Sequence, residues 1–441
     1  MFDVAIKSNR IITPEGEKKG FVIIKGTIII DVVNSLDTID ERVTDVKDKV
    51  LMPGIIDPHV HINEPGRTDW EGFDTATRAA LAGGVTTLVD MPLNSSPVTT
   101  TATAFDKKIG ATNNQLHTNC GFWGGVIPGN EGEIETLINK GVLGFKAFLT
   151  HSGIDEFPNV TEVDLRKAMP IIAKHNLPLL VHCELTSALS GGKEMGVRSY
   201  QNYLNSRPRK WEDDAIALMI RLCEEFNCRV HIVHLSSSNS IEQIEKAKQK
   251  GLPLTVETAQ HYLFFDDQIH DGWTQFKCAP PIREQENNDE LWEALKVGII
   301  DFVATDHSPC PPKMKCMDEG DFMKAWGGIS SLQFALPILW TEAMQRGCNL
   351  NDIAKWLSEN PAKFIGFNTK GKIEKGFDAD LIVWDDKVFA VTEDIILHRH
   401  KLTPYFMQML TGVVEQTYLS GEKVFDSGKF LHLNKGKIIL R

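Results

Sequence analysis

The sequence predicts an α/β protein: a (β/α)8 barrel in the middle of the chain and a small β domain assembled from its two ends. Three observations predict it. The middle alternates apolar strand candidates with amphipathic helical patterns. The strand candidates number eight over about 310 residues, the count and length of a closed barrel. Both ends read instead as short strands broken by turns.

The first segments, FDVAIKSNRIIT and FVIIKGTIIIDVV, are β-rich and interrupted by Gly and Pro-Glu-Gly. The last seventy or so residues read alike, in DADLIVWD, EQTYLSGEKVFDSGKF and LHLNKGKIILR. The eight middle strands are LMPGIIDPHV, GVTTLVDM, TNCGFWGGV, VLGFKAFL, LPLLVHCE, RVHIVHLS, LPLTVETA and IDFVATDH. Between them lie helical patterns such as DTATRAALAGG, EIETLINKG, DLRKAMPIIAKHN and EDDAIALMIRLCEEF. Several end in Gly, the residue expected just past a helix. The threonine-rich SSPVTTTATAF reads as a loop entering a helix. Strands that are apolar throughout and separated by helices favour a parallel sheet. An open doubly wound sheet is the alternative, but no G-x-G-x-x-G follows the first strand, so its dinucleotide-binding form lacks support. The expected division is 52–366 for the barrel and 1–51 plus 367–441 for the β domain.

With 441 residues, 42 % hydrophobic, the chain can bury a large core. Its net charge of -12 comes without a strongly basic block, which argues against a nucleic-acid partner. No apolar run approaches the roughly 18 to 20 residues that span a bilayer, so no membrane partner is expected. The N-terminus lacks the charged start and apolar core of a secretory signal. Eight scattered cysteines with no C-x-x-C pair suggest reduced thiols. The expectation is a soluble intracellular protein, cytoplasmic by default. The terminal KIILR is not a peroxisomal S-K-L-type signal.

The chemistry collects at strand ends. His59 and His61 flank one valine, and residues two apart in a strand project to the same side. They therefore stand together at the strand's C-terminal end, where barrel enzymes keep their active sites. H-x-H alone also suits two packed histidines. The pattern recurs, however: His182 ends LPLLVHCE, His234 ends RVHIVHLS, and Asp306 with His307 ends IDFVATDH. Four strands ending this way point to metal ligands. His231, three before His234, faces the other way and reads as a packing or hydrogen-bonding residue. Cys183 and Cys310 adjoin the candidates but read as packing residues. Lys146 is a cation in the otherwise apolar GVLGFKAFL. It either reaches an acid at the strand end or, as a neutral amine, takes up carbon dioxide to give an anionic carbamate able to bridge two metals. Four histidines, an aspartate and a carbamate suffice for two divalent ions. Ligands without thiolate favour zinc, with manganese, cobalt or iron as alternatives.

Taken together, D-x-H-x-H at 57–61, the strand lysine, the two further strand-end histidines and the late aspartate resemble the amidohydrolase superfamily. VLMPGIIDPHVH and GKIEKGFDADLIVWD look like the points where its members leave and re-enter a small β-sandwich. The likeness spans essentially the whole chain. It fits the cyclic-amidase branch, which holds dihydroorotases, hydantoinases and allantoinases. EPGRTDWEGFDTATRAALAGGVTTLVDMPLNS, DHSPCPPKMK with MKAWGGISSLQ, and RHKLTPY are most similar to allantoinase segments. Two positions separate it from the others. Asn63 stands where dihydroorotases place the arginine that grips a carboxylate, and His151 where hydantoinases place an oxyanion-donating tyrosine.

The resemblance implies that His59, His61 and Asp306 hold one metal, His182 and His234 the other, and carboxylated Lys146 bridges them. It implies a bridging hydroxide that attacks a ring amide of allantoin, with Asp306 taking the proton and passing it to the leaving nitrogen, to give allantoate. Asn94 and Ser330, the latter in the loop GGIS at 327–330, are candidates for orienting the heterocycle, with ordinary turn chemistry as their alternative reading. Glu184 and His307 are either groups that orient ligands or surface positions. A homo-oligomer, dimer or tetramer, is the expected assembly. The rival functions are another cyclic-amide hydrolase, or a relative that keeps the fold without metal.

Overall fold

The computed structural model describes residues 2–36, 40–187 and 196–441. Five strands come first: β1 (Val4–Thr13), β2 (Gly16–Lys25), β3 (Ile28–Val33), β4 (Val43–Asp45) and β5 (Val50–Pro53). The middle carries β6 (Ile55–Val60), β7 (Val85–Asp90), β8 (Asn119–Phe122), β9 (Gly124–Gly125) and β10 (Phe145–Phe148). It continues with β11 (Pro178–His182), β12 (Arg229–Ile232), β13 (Leu254–Ala259) and β14 (Phe302–Ala304). The last strands are β15 (Leu381–Ala390), β16 (Met409–Leu419), β17 (Glu422–Asp426) and β18 (Lys429–Phe430).

The middle strands are parallel and form one ring. β6, β7 and β8 pair in order, and β9 to β14 pair in order. Only Trp123 separates β8 from β9; its backbone N–H donates to the Asp90 carbonyl and its indole to the Pro58 carbonyl. A bridge between Val60 and His307 joins the first strand to the end of the last. The eight expected strands thus close a barrel, with TNCGFWGGV kinked at its tryptophan. Every residue of β6, β7, β10 and β11 is buried, the signature of strands covered on both faces. The helices Phe73–Ala82, Glu131–Lys140, Glu162–Lys174 and Arg209–Phe226 fall on the expected patterns and turn apolar stripes inward. Gly141 ends the second of these in the left-handed conformation that favours glycine. Thr101 caps the helix Ala102–Ala111 through the Ala104 N–H, as the threonine-rich stretch suggested.

LMPGIIDPHV is two strands rather than one. β5 belongs to a nine-stranded sheet made from both ends of the chain, ordered β18-β17-β16-β15-β5-β1-β2-β3, with β4 on β1. After Gly54 the chain enters the barrel as β6. A β-carbon at Gly54 would stand 2.2 Å from the Thr86 hydroxyl, so the crossing is made where there is no side chain. Alternate residues of β1 and β2 feed opposite faces of this sheet: Ile6, Val22 and Ile24 one side, Ala5, Phe21 and Ile23 the other. Val50, Met52, Ile382 and Trp384 join the barrel's own core, which fixes the sheet against the barrel. No helix among the described residues is long and apolar enough to cross a membrane.

Candidate metal centre

The strand ends gather as the period-two argument requires. His59 and His61 rise from β6, Lys146 from β10, His182 ends β11, and His234 and Asp306 follow β12 and β14. All are buried, and Lys146 completely so. The backbone is unusual at two of them: φ is 38° at His234 and 45° at Asp306. Left-handed backbone outside glycine costs energy and concentrates at functional sites. Both side chains are thereby turned off the strand direction into the barrel mouth.

The distances fit metal ligands. His59 Nε2 lies 3.2 Å and His61 Nε2 3.5 Å from Asp306 Oδ1, while His182 Nδ1 lies 3.0 Å from His234 Nε2. Ligand atoms about 2.0–2.1 Å from a tetrahedral ion stand about 3.3 Å apart. His59, His234 and Asp306 offer atoms all within 4.8 Å of one another. The far nitrogens are already engaged. His59 Nδ1–H donates to Glu257, and His182 Nε2–H donates to Glu184 at 2.7 Å. Each such bond fixes the tautomer that leaves a lone pair on the nitrogen facing the cluster. His61 Nδ1 lies 3.4 Å from the side-chain Nδ2 of Asn94. Phe148 stacks on His182 with centroids 4.6 Å apart and holds that ring in plane.

The electrostatics agree. Burial lowers His61 to about 4, against a partial pull upward from Asp306. Burial likewise lowers His182 and, most strongly, His234. All three are therefore neutral imidazoles, the form that binds metal. Burial alone would raise Asp306, but His59, His61 and His234 hold its carboxyl far below the usual range. Lys146 is lowered to about 8 by burial, with Glu257 and Asp306 pulling upward less strongly. Its amine has no hydrogen-bond partner among the described residues. An unpartnered buried amine near neutrality is poised to react with carbon dioxide. The donor set and the orphaned amine both fit a two-metal centre.

Other expected residues take plainer places. His231 donates from Nε2 to Glu257 at 3.1 Å and meets the Thr255 hydroxyl at 2.8 Å through Nδ1, so it is a hydrogen-bonding residue. Burial pushes the Cys183 thiol far up and Cys310 up to about 11, so neither offers a thiolate near neutral pH. Glu184 and His307 are not surface positions, since their exposures are 1 % and 0 %. Glu184 orients His182, whereas the His307 side chain touches the Ser331 N–H rather than a ligand. The His307 backbone carbonyl accepts the His61 N–H, so it still helps place that strand end. A cavity of about 400 Å³ opens above the cluster and includes Asn94, His151 and Gly327 in its lining. Ser330 does not line it; its carbonyl accepts the Thr403 hydroxyl.

Sequence reasoning missed Glu257, whose carboxylate receives His59 Nδ1–H, His231 Nε2–H and, at 3.4 Å, the His234 backbone N–H. The available signal was an acid inside the strand LPLTVETA, the same anomaly that singled out Lys146. It also missed Arg207 and Lys277 in the cavity wall.

The model of the amidohydrolase family matches residues 50–424. The allantoinase of Streptomyces avermitilis is 44 % identical over 100 % of this chain and 99 % of its own length. The allantoinase of Arabidopsis thaliana is 44 % identical over 96 % of this chain and 88 % of its own. The solved L-hydantoinase (dihydropyrimidinase) of Arthrobacter aurescens superposes with a TM-score of 0.93 over 100 % of both chains, at 29 % identity.

Proposed function

The chain belongs to the amidohydrolase family and is a hydrolase of cyclic amides, and from that premise we propose that its substrate is allantoin, opened to allantoate. The observation that carries the reading is the buried convergence of His59, His61, His182, His234 and Asp306 beneath a cavity, with the unpartnered Lys146 amine among them.

His59, His61 and Asp306 would hold one divalent ion, His182 and His234 the other, and N6-carboxylated Lys146 would reach both. Zinc suits this imidazole and carboxylate set best. Such ions, when bound, lower the pKa of water and polarise an amide carbonyl. Asp306, held ionised, takes the proton of the attacking water. It returns that proton to the ring nitrogen as the carbon–nitrogen bond breaks. Glu257 and Glu184 keep His59 and His182 in the productive tautomer. Asn94 and the loop 327–330, through Gly327 at the cavity wall, orient the ring. The catalytic unit runs from Gly54 to about residue 366, and the segments on either side, β5 among them, form the supporting domain. Eight free thiols suit a reducing compartment. Exposed Val388, Phe406, Met407 and Met409 suit a homo-oligomer.

The test is ring opening of allantoin by the zinc-loaded protein, read as allantoate, with a chelated sample beside it. Chelator-sensitive turnover is expected. Bound zinc without turnover would move the substrate to another cyclic amide.

A further inference from the structure

Resting on allantoin as the substrate, we infer that Arg207 is the residue that reads the ureido group distinguishing allantoin from a plain hydantoin. A hydantoin ring whose amide reacts beside His59, His61 and Asp306 must direct its substituent up the cavity toward the mouth. Arg207 lies in the wall there, together with Tyr203 and Lys277. Its side chain is 22 % exposed, against 5 % for His182. Both residues line the same cavity, and Arg207 is the more exposed of the two.

The guanidinium is held rather than free to swing. Nε donates to Glu184 Oε1 at 3.0 Å, and Nη2 donates to Glu184 Oε2. Glu184 is 1 % exposed and also receives His182 Nε2–H. The guanidinium is thus indexed to the ligand cluster through one rigid carboxylate. Nη1 makes no hydrogen bond to any described residue, and it is not sealed from solvent. Because Glu184 already balances the charge, the open N–H edge suits a neutral carbonyl acceptor rather than an anion. A urea oxygen is such an acceptor, and a planar fork at a fixed height can select it by geometry. The cavity wall also includes Leu93 and Phe148, whose side chains offer a ureido group no hydrogen bond.

The test compares ligands with and without the group. For the zinc-loaded wild type, Arg207→Gln and Arg207→Lys, one measures kcat and KM for allantoin, the inhibition constant of unsubstituted hydantoin, and zinc per chain. Arg207→Lys keeps a cation beside Glu184 but lacks the fork, which guards against loss of folding in the glutamine variant. The expected result in both variants is a fall of about tenfold to a hundredfold in kcat/KM for allantoin, carried mainly by KM. In Arg207→Lys, which keeps a cation beside Glu184, hydantoin inhibition should stay within about twofold and zinc content should hold, because neither uses the open edge of the guanidinium. Equal losses for both ligands, or loss of zinc, would reduce Arg207 to a support for Glu184 and overturn the inference. Unchanged allantoin kinetics would overturn it too. Failure of the wild type to open allantoin would instead strike the substrate assignment itself, and this inference with it.

Discussion

Replacing Glu257 by Gln isolates what the buried carboxylate does for the metal centre. Glu257 lies at the foot of the cluster and receives three N–H groups, from the His59 ring, the His231 ring and the His234 backbone. Burial opposes its charge, yet the His59 and His231 rings hold it ionised with a pKa of about 2. Glutamine keeps the shape but offers one acceptor oxygen and one donor NH2. If the NH2 faces His59, Nδ1 must accept, the ring proton moves to Nε2, and the nitrogen facing Asp306 is blocked. If it faces His231, that ring must shift its proton toward the Thr255 hydroxyl and give up its donation to residue 257. Either way the tautomer of His59 is no longer fixed by a carboxylate. Losses of this kind cost about tenfold to a hundredfold in metal affinity, or about 1.4–2.8 kcal/mol. The assay is zinc competition against a chromophoric chelator, with circular dichroism as the control for folding. Weaker zinc binding with turnover restored by excess zinc is expected. Wild-type zinc affinity in the variant would refute the claim that Glu257 sets the His59 tautomer.

Other perturbations separate the remaining roles. Asp306→Asn should fold but lose turnover by at least about a hundredfold, since an amide cannot take the proton; wild-type kcat would remove the aspartate from the proton path. Lys146→Ala should lose zinc and activity together, with partial recovery in added short carboxylic acids; recovery without any acid would sink the carbamate. Burial lowers His398 from 6.5 to about 3 and His261 to about 4, so each gains a proton on unfolding as pH falls below 6.5. Stability is then full above 6.5 and declines toward 4, by about 1.4 kcal/mol per pH unit for each ring. His398→Gln should flatten the dependence of urea midpoint on pH by one ring's share, and an unaltered slope would contradict this.

The barrel was legible because its signals are local. Apolar runs of strand length, separated by helical periods and ending in His or Asp, need no tertiary knowledge to be read. His59 and His61 are two apart, and period two alone puts them on one side. What escaped is what depends on partners distant in sequence. Glu257 becomes meaningful only when β13 stands beside β12 and below β6. Arg207 enters the site through Glu184, twenty-three positions earlier. LMPGIIDPHV reads as one strand because both of its halves are apolar, and the change of sheet at Gly54 is imposed by Thr86. Glu184 was open to a surface reading because its partner Arg207 is distant in sequence.

The position of β5 dictates an order of assembly. It lies between β1 and β15, and Val50 pairs with Trp384. During synthesis at about 5–20 residues per second, the partner of β5 emerges tens of seconds after it. Through that interval the first strands present an open edge that invites pairing with another chain. The barrel strands all emerge within it. The seam between β5 and β15 therefore closes only after every barrel strand has been made, and weak closure there would surface as aggregation of nascent chains.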